Sequence, residues 1–127
     1  MLKESLFLRH LRDYALKYSP NIITYHEANA DYIYINERLE PIVGYKPEEL
    51  IGKSPYDFIH PDDLDTIEAS HQPLLKGESV KSVKYRFQCK DGEYKWLDSY
   101  MIPVMENSVV SHLIGVSRDI EGENDLE

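Results

Sequence analysis

The sequence lacks the features that form disulfides, span a membrane or direct secretion. Its one cysteine, Cys89, excludes an intramolecular disulfide and any zinc site built from several cysteines. The longest apolar runs are only a few residues, so no segment is long enough to cross a bilayer as a helix. The chain starts with a segment that contains lysine and glutamate rather than with a signal peptide. These absences predict a cytoplasmic protein.

Positive charge is also scarce. The chain has 14 lysines and arginines against 23 aspartates and glutamates, a formal net charge of -9, and its cations form no basic cluster. Such a surface repels nucleic-acid backbones and anionic lipids, so we expect no nucleic-acid partner and no membrane insertion. The length of 127 residues suits one domain, and a hydrophobic content of 42% argues against wholesale disorder.

Recognisable catalytic motifs are missing as well. The six glycines are scattered singly, so no glycine-rich loop can hold a phosphate, and the serines lack the glycine pattern of a nucleophile elbow. Cys89 alternates with Tyr85 and Phe87 on a predicted strand, which favours a buried structural thiol over a nucleophile. Since no acid and base pair at a plausible site, we expect a domain that is not itself an enzyme.

Two histidines have both a ligand-binding and a structural interpretation. His60 lies close to Asp62 and Asp63, but a capping histidine followed by two acids suits the start of a helix, so no metal site is predicted. His71 falls on the apolar side of a predicted long helix. It can be a satisfied core residue, a polar group that orients a ligand, or an axial haem ligand.

An amphipathic helix is predicted over the first eighteen residues, and Pro20 ends it. Part of its apolar stripe has the spacing of a coiled-coil seam: Phe7, Leu11, Tyr14 and Tyr18. Two heptads do not distinguish a dimer seam from a helix that lies on its own domain, so both interpretations stay open.

The remaining patterns predict an α+β fold. Two short strands at 21–26 and 32–35 flank a turn at Asn29-Ala30-Asp31 that lacks the usual glycine. A helical stretch follows, in which Asn36 is expected to cap a short helix and Pro73 to kink or end the long helix near His71. Three strands complete the chain: 83–89, 94–104 and 109–120. Five antiparallel strands with helices packed on one face accommodate this order.

Several motifs in this order resemble those of PAS domains. They are Tyr34-Ile35-Asn36, Val43-Gly44-Tyr45, Pro47 to Lys53, Asp57 to Asp63, Lys90-Asp91-Gly92, Trp96 and Ile114 to Ile120. The resemblance covers about residues 20–121. It implies an antiparallel sheet in the order 2-1-5-4-3, a flanking helix at 1–19, and an acidic tail or linker at 122–127. The final Leu126-Glu127 is either part of that linker or a cloning scar.

The resemblance also implies a sensory role and a set of candidate residues. Such domains sense ligands or other stimuli, often as dimers, and signal to an output domain such as a histidine kinase. We expect a homodimer through the N-terminal helix, an output domain on the same chain, and Asp119 and Ile120 as the exit of the signal. Nine residues are expected to face a ligand cavity: Tyr56, Phe58, Leu64, Ile67, His71, Tyr85, Phe87, Tyr100 and Ser117.

Differences from the cofactor-binding subfamilies of PAS domains limit which cofactors we expect. The segment Gly52 to Phe58 lacks the cysteine of the light-oxygen-voltage subfamily, which argues against flavin–cysteine photochemistry. The histidine of the haem-binding subfamily lies on the long helix, so haem binding through His71 stays open. The spacing from His71 to Gly77 is, however, about one helical turn shorter than in that subfamily. Ser117 matches the position that contacts the cofactor in the flavin-binding subfamily. The alternative to a ligand-sensing domain is a protein-interaction module with a filled core and no ligand.

Overall fold

The computed structural model describes residues 2–121, with side chains from residue 5 onward. The predicted acidic tail at 122–127, including Leu126-Glu127, lies outside this range. In chain order the elements are α1 (Leu2–Tyr18), β1 (Ile22–Glu27), β2 (Tyr32–Ile35), α2 (Leu39–Val43), α3 (Pro47–Leu50), two 3-10 turns (Pro55–Asp57 and Pro61–Asp63), α4 (Leu64–Leu75), β3 (Val80–Gln88), β4 (Tyr94–Glu106) and β5 (Val109–Asp119).

One antiparallel sheet of five strands organises the domain, in the order β2-β1-β5-β4-β3, as predicted. The register places Thr24 of β1 opposite Gly115 of β5, and Ser99 of β4 opposite Ser117 of β5. The short helices and α4 pack against one face, where a single cluster of buried side chains forms the core. Strand β1 therefore pairs with the last strand, β5, although the whole helical segment separates them in sequence, and β2 pairs with β1 at the edge.

Helix α1 projects away from this core. Every side chain from residue 5 to residue 15 is exposed, and Phe7 is 67% exposed. The interpretation in which the helix lies on its own domain is therefore wrong. The helix is tied down at its C-terminal end, because the Asn36 side chain donates a hydrogen bond of 2.8 Å to the carbonyl oxygen of Leu16.

Asn36 does not cap α2, contrary to the prediction. Arg38 stands at that position without a side-chain cap, and the Asn36 side chain turns instead toward the start of β1. There its Oδ1 accepts from the Ile23 N–H at 2.9 Å, and its Nδ2 also donates to the Asn21 carbonyl oxygen at 3.2 Å. A buried amide that satisfies three backbone groups far away in sequence outweighs a local cap.

Helix α4 continues through Pro73 and ends at Leu75, so the predicted end near His71 is wrong. A proline in the last turn removes only one backbone hydrogen bond. Leu74, which is 2% exposed, anchors that turn in the core. The helix therefore keeps His71 in position above the sheet.

The turn between β1 and β2 adopts a left-handed conformation without glycine. Ala30 has φ +86°, which costs an alanine about 1–2 kcal/mol. Asn29 Oδ1 accepts from the Asp31 N–H at 3.0 Å, and the carbonyl oxygen of Ala30 binds His26 Nδ1 at 2.8 Å. The surrounding hydrogen bonds thus hold the strained residue in place.

The edge strand β3 is covered by the segment that precedes α4. The Asp63 carboxylate accepts three hydrogen bonds from Arg86, one from its backbone N–H and two from its guanidinium, at 2.8–3.0 Å. This guanidinium holds the pKa of Asp63 below its usual value. The pairing fixes the helical layer over the sheet and protects part of an otherwise open edge.

Candidate functional site

A cavity of about 80 Å³ lies between the sheet and the helical layer. Its floor is formed by the inward-facing residues of β1, β3, β4 and β5, and α4 with the first 3-10 turn closes it from above. Such a volume holds several water molecules or one very small ligand. Six of the nine residues predicted to face it do so: Tyr56, Ile67, His71, Tyr85, Phe87 and Ser117.

The other three predicted residues lie elsewhere. Tyr100 is 41% exposed because Ser99, its neighbour on β4, takes the inward position and Tyr100 lies on the outer face of the sheet. Phe58 stacks on Phe87, with ring centroids 5.4 Å apart, and Leu64 is a partly buried member of the core packing. None of these three side chains lines the cavity.

The polar end of the cavity begins with His26 on β1. His26 Nδ1 must donate to the Ala30 oxygen at 2.8 Å, since a carbonyl only accepts. Burial lowers the pKa of His26 to about 4, so the ring is neutral at pH 7 and its Nε2 is an acceptor. The hydroxyl of Thr24 therefore donates to Nε2, at 2.6 Å. Its proton is used, and its oxygen stays available as an acceptor.

Three hydroxyls from neighbouring strands form a second polar group. Tyr85 Oη lies 2.6 Å from Ser99 Oγ, which lies 2.6 Å from Ser117 Oγ. All three residues are buried and line the cavity. Burial raises the pKa of the Tyr85 phenol, so it stays protonated at neutral pH. Tyr85 is also hydrogen-bonded to Ser117, so the three hydroxyls form a closed cluster that satisfies its own members.

Sequence reasoning missed five polar residues of this cavity. They are Thr24, His26, Tyr32, Ser70 and Ser99. Thr24 and His26 have the same parity as Ile22 on β1, which is 3% exposed, so strict alternation from that residue could have found them. Ser99 could have been found in the same way from the buried Leu97 on β4.

The residues around the cavity do not fit a haem. Pockets for drug-sized ligands measure roughly 300–1,000 Å³, well above the 80 Å³ present here. His71 Nε2 lies 3.0 Å from the Ala28 carbonyl oxygen and so must donate a proton to it. A nitrogen that carries this proton has no lone pair for iron. The same volume disfavours a flavin.

Outside the cavity, the remaining candidates have structural contacts. His60 Nδ1 accepts from the Asp62 N–H at 3.0 Å, as predicted for a helix cap. Cys89 is 9% exposed, and burial raises the pKa of its thiol, which makes it a poor nucleophile. Within residues 2–121, no group of three or more histidine, cysteine or carboxylate side chains is arranged to hold a metal ion. No helix in that range is long and apolar enough to cross a membrane.

The chain leaves the sheet through a hydrogen-bonded cluster at the end of β5. Ile120 is 2% exposed, and the Asp119 carboxylate accepts from the Glu121 N–H at 3.0 Å and pairs with Lys95 at 3.2 Å. The Glu121 carboxylate accepts from the Trp96 N–H at 3.2 Å. The exit is thus anchored to β4.

Comparisons with known proteins agree with this architecture. The family model described as "PAS fold" matches residues 32–117. Circadian locomoter output cycles protein kaput of Drosophila melanogaster is 39% identical over 74 residues, which cover 58% of this chain and 7% of that protein. Human neuronal PAS domain-containing protein 2 is 36% identical over 75 residues, which cover 59% of this chain and 9% of that protein.

Solved structures show the same fold. The PAS-B domain of Drosophila melanogaster Cycle, with bound ethylene glycol, has a TM-score of 0.73 and 27% identity over 77% of this chain and 98% of that one. The PAS domain of an HTR-like protein from Haloarcula marismortui has a TM-score of 0.73 and 20% identity, covering 93% of this chain and 97% of that one. This chain spans less than a tenth of the curated relatives described above. The chain belongs to the PAS family of sensory domains.

Proposed function

We propose that this domain is the sensory and dimerisation module of a cytoplasmic signalling protein and has no catalytic activity of its own. An output domain on the same parent chain, such as a histidine kinase, reads its state. The observation that carries this proposal is that the strands under the cavity lead to both ends of the domain. Ile22 lines the cavity four residues after α1 ends, and Ser117 lines it two residues before Asp119.

The input is a ligand in the cavity. The solved structure of Drosophila Cycle PAS-B contains ethylene glycol, a molecule of four non-hydrogen atoms, and a cavity of about 80 Å³ suits a molecule of that size. A ligand that binds one packing of the sheet better than another shifts the population toward that packing. The small volume equally favours a second candidate, an interaction module without a ligand. Native mass spectrometry of the purified chain separates the two, because only the first has bound mass.

Two contacts support transmission of this change to the chain ends. Asn36 joins the carbonyl oxygen of Leu16 in α1 to the N–H of Ile23 in β1, and Asp119 and Glu121 join the end of β5 to β4. When β1 or β5 shifts to accommodate a ligand, the hydrogen bonds that attach α1 or the end of β5 to the sheet therefore shift as well. Asp119 and Ile120 then act as the exit of the signal toward the output domain.

The partner of α1 in the proposed dimer is α1 of a second copy of the same chain. Four residues form the apolar stripe of α1, and each is 57–67% exposed: Phe7, Leu11, Tyr14 and Tyr18. Their spacing of three and four residues is that of a coiled-coil seam, and such a seam is self-complementary in a symmetric dimer. Pairing of two helices would bury this stripe, which nothing else within residues 2–121 covers.

Solution mass tests the dimer. Light scattering at micromolar concentration is expected to give a dimer for the full chain and a monomer for a chain that lacks residues 1–18. Leu11→Gln should weaken the dimer, while Arg9→Gln, an exposed substitution off the stripe with the same new side chain, should not. A monomeric full chain, or equal effects of the two substitutions, would contradict this part of the proposal.

A further inference from the structure

The outer face of the sheet, opposite the helical layer, is apolar at its centre. The strand register places seven side chains there in two adjacent rows, which we call the outer patch. One row crosses four strands: Tyr34, Tyr25, Ile114 and Ile102. The other row crosses three strands: Ile23, Val116 and Tyr100. None of the seven is buried by the described part of the chain, and none carries a charge.

This composition departs from that of a sheet whose outer face meets water. Strands covered on one side normally alternate apolar and polar residues, with the polar ones toward solvent. Strand β1 instead presents Ile23 and Tyr25 outward, and β5 presents Ile114 and Val116. A contiguous apolar surface of this kind marks a site of protein contact.

Charged residues lie on both sides of the outer patch. On one side Glu27 is opposite His112 in the register, and Glu27 Oε2 lies 4.0 Å from His112 Nε2. On the other side Asp98 is opposite Arg118, and their side chains pair at 3.4 Å. An apolar centre with aromatic residues and a polar rim is the usual composition of a protein interface.

Helix α1 passes one end of the outer patch. Burial and the carboxylates of Glu37 and Asp13 raise the pKa of Tyr34, whereas the guanidinium of Arg12 lowers it. Arg12 and Asp13 therefore lie near Tyr34, at the β2 edge of the sheet. Both are on the side of α1 opposite its apolar stripe, so the stripe points away from its own sheet. The stripe and the outer patch are thus two neighbouring apolar surfaces that do not cover each other.

The apolar stripe is too small to hold a stable dimer by itself. An aromatic side chain buries roughly 150–250 Å² when it is fully covered. Four side chains that are 57–67% exposed therefore offer on the order of 500 Å² per protomer. A standard stable interface buries about 800 Å² on each partner. A dimer that begins at α1 needs a further surface, and the outer patch is the apolar surface next to it.

We propose that the outer patch is the second part of the dimer interface and packs against a second copy of this chain. A two-fold symmetric dimer brings the same surface of both copies into one interface, so apolar residues meet apolar residues. Each chain has a net charge of -9, and the uncharged rows let two such chains meet without placing like charges in contact. This inference rests on the proposed function, since it extends the dimer interface that begins at α1.

The outer patch and the cavity share their strands. On β5 Ser117 lines the cavity and its neighbour Val116 lies in the patch, and on β4 Ser99 and Tyr100 have the same arrangement. A ligand that shifts these strands therefore also shifts the surface that contacts the second copy. The dimer interface then responds to the cavity directly, in addition to the two chain ends.

Two tyrosines on β4 provide a matched pair of substitutions. Tyr100 lies in the outer patch and is 41% exposed, whereas Tyr94 is 38% exposed, packs against His60 and lies six residues earlier, about 20 Å away along the strand. Tyr100→Gln should raise the dimer Kd about 10- to 100-fold, because a symmetric dimer loses the contact twice. Tyr94→Gln should change it less than about 2-fold. Sedimentation equilibrium of the full chain measures the Kd, and equal effects of the two substitutions would overturn the proposal.

Isoleucine methyl NMR tests the same face without a substitution. Three isoleucines lie in the outer patch, Ile23, Ile102 and Ile114, whereas α1 contains none. Dilution of the full chain through its dimer Kd should shift their methyl signals, while the signals of the core residues Ile35 and Ile42 should stay in place. Patch signals that do not move while the chain dissociates would contradict the assignment.

Leu11→Gln separates this inference from the proposed function. If Leu11→Gln weakens the dimer and Tyr100→Gln does not, the α1 interface stands and the assignment of the outer patch is wrong. If Tyr100→Gln lowers the unfolding free energy without changing the Kd, a segment of the same chain covers the patch and the inference also fails. If the full chain is monomeric, the proposed dimer fails together with this inference.

Discussion

Asn36 is expected to be the most consequential polar side chain between α1 and the sheet. It is 1% exposed, and its amide makes three hydrogen bonds of 2.8–3.2 Å to backbone groups of Leu16, Asn21 and Ile23. Asn36→Ala removes all three. At about 1 kcal/mol of net stability for each, the variant should lose about 3 kcal/mol of unfolding free energy. A domain of this size has a total stability of about 5–15 kcal/mol, so the variant should still fold.

Urea denaturation, followed by the fluorescence of Trp96, the only tryptophan, measures this loss. With an m-value of about 1–3 kcal/mol per molar urea, the midpoint should fall by about 1–3 M at a fixed protein concentration. Asn29→Ala is the control. Asn29 also hydrogen-bonds a backbone N–H, but in an exposed turn, so its replacement should cost less than about 1 kcal/mol. If Asn36→Ala costs no more than Asn29→Ala, the role assigned to Asn36 is refuted.

Asn36→Asp refines the same test. The new carboxylate can still accept from the Ile23 N–H, but it faces the carbonyl oxygens of Leu16 and Asn21 where the amide donated to them. Burial and these oxygens should raise the pKa of this carboxyl above its unfolded value. The folded state then binds more protons than the unfolded state, so the variant should gain stability relative to the parent as pH falls below neutral. A variant whose relative stability does not change with pH would show that this position is solvated.

Two further predictions concern the polar end of the cavity. Gly115→Ala places a Cβ 3.0 Å from Met101 Sδ and in overlap with Thr24 Oγ1, so it should cost about 1–3 kcal/mol in urea denaturation; an unchanged midpoint would contradict the close approach of β1 and β5. Burial lowers the pKa of His26 from 6.5 to about 4, so its contribution to stability is complete above pH 6.5 and is lost as pH falls to about 4, by roughly 3 kcal/mol. His26→Gln should remove that part of the acid sensitivity, and an identical pH profile for parent and variant would rule it out.

The sheet was predictable because its strands carry local signals. Asp91-Gly92 defines the turn between β3 and β4, and on β3 the alternation correctly places Tyr85 and Phe87 inward. On β4 the pattern is ambiguous, since Ile102 on the outer face is also apolar and only partly exposed. The pattern therefore predicts that Tyr100 faces the helices, whereas in the structure its smaller neighbour Ser99 lies on that inner face and Tyr100 on the outer one. Alternation separates the two faces of a strand but does not say which one the helices cover.

Alternation can place these polar residues on the inner face, but the contacts among them were not predictable from local sequence. Thr24 becomes the partner of His26 only because both lie on the covered face of β1 and because Gly115, opposite Thr24 on β5, leaves room for the pair. Ser99 and Ser117 meet through the register of two strands that are joined by the turn at 107–108. Asn36 failed as a predicted cap for the same reason, since its partners lie thirteen to twenty residues away. Contacts between distant segments decide these roles.

The size of the cavity explains how the domain can tolerate it. An unfilled cavity costs roughly 24 cal/mol for each Å³ in a core, so 80 Å³ corresponds to about 2 kcal/mol of stability relative to a filled core. That is a minor share of the 5–15 kcal/mol typical of a domain. Collapse of the helical layer onto the sheet would recover part of this free energy. It would also press apolar side chains against the hydroxyls of Tyr32, Tyr85, Ser99 and Ser117. Because the Tyr32 hydroxyl has no hydrogen-bond partner among residues 2–121, pressing it against apolar side chains would cost about 1–3 kcal/mol, which offsets the gain from collapse.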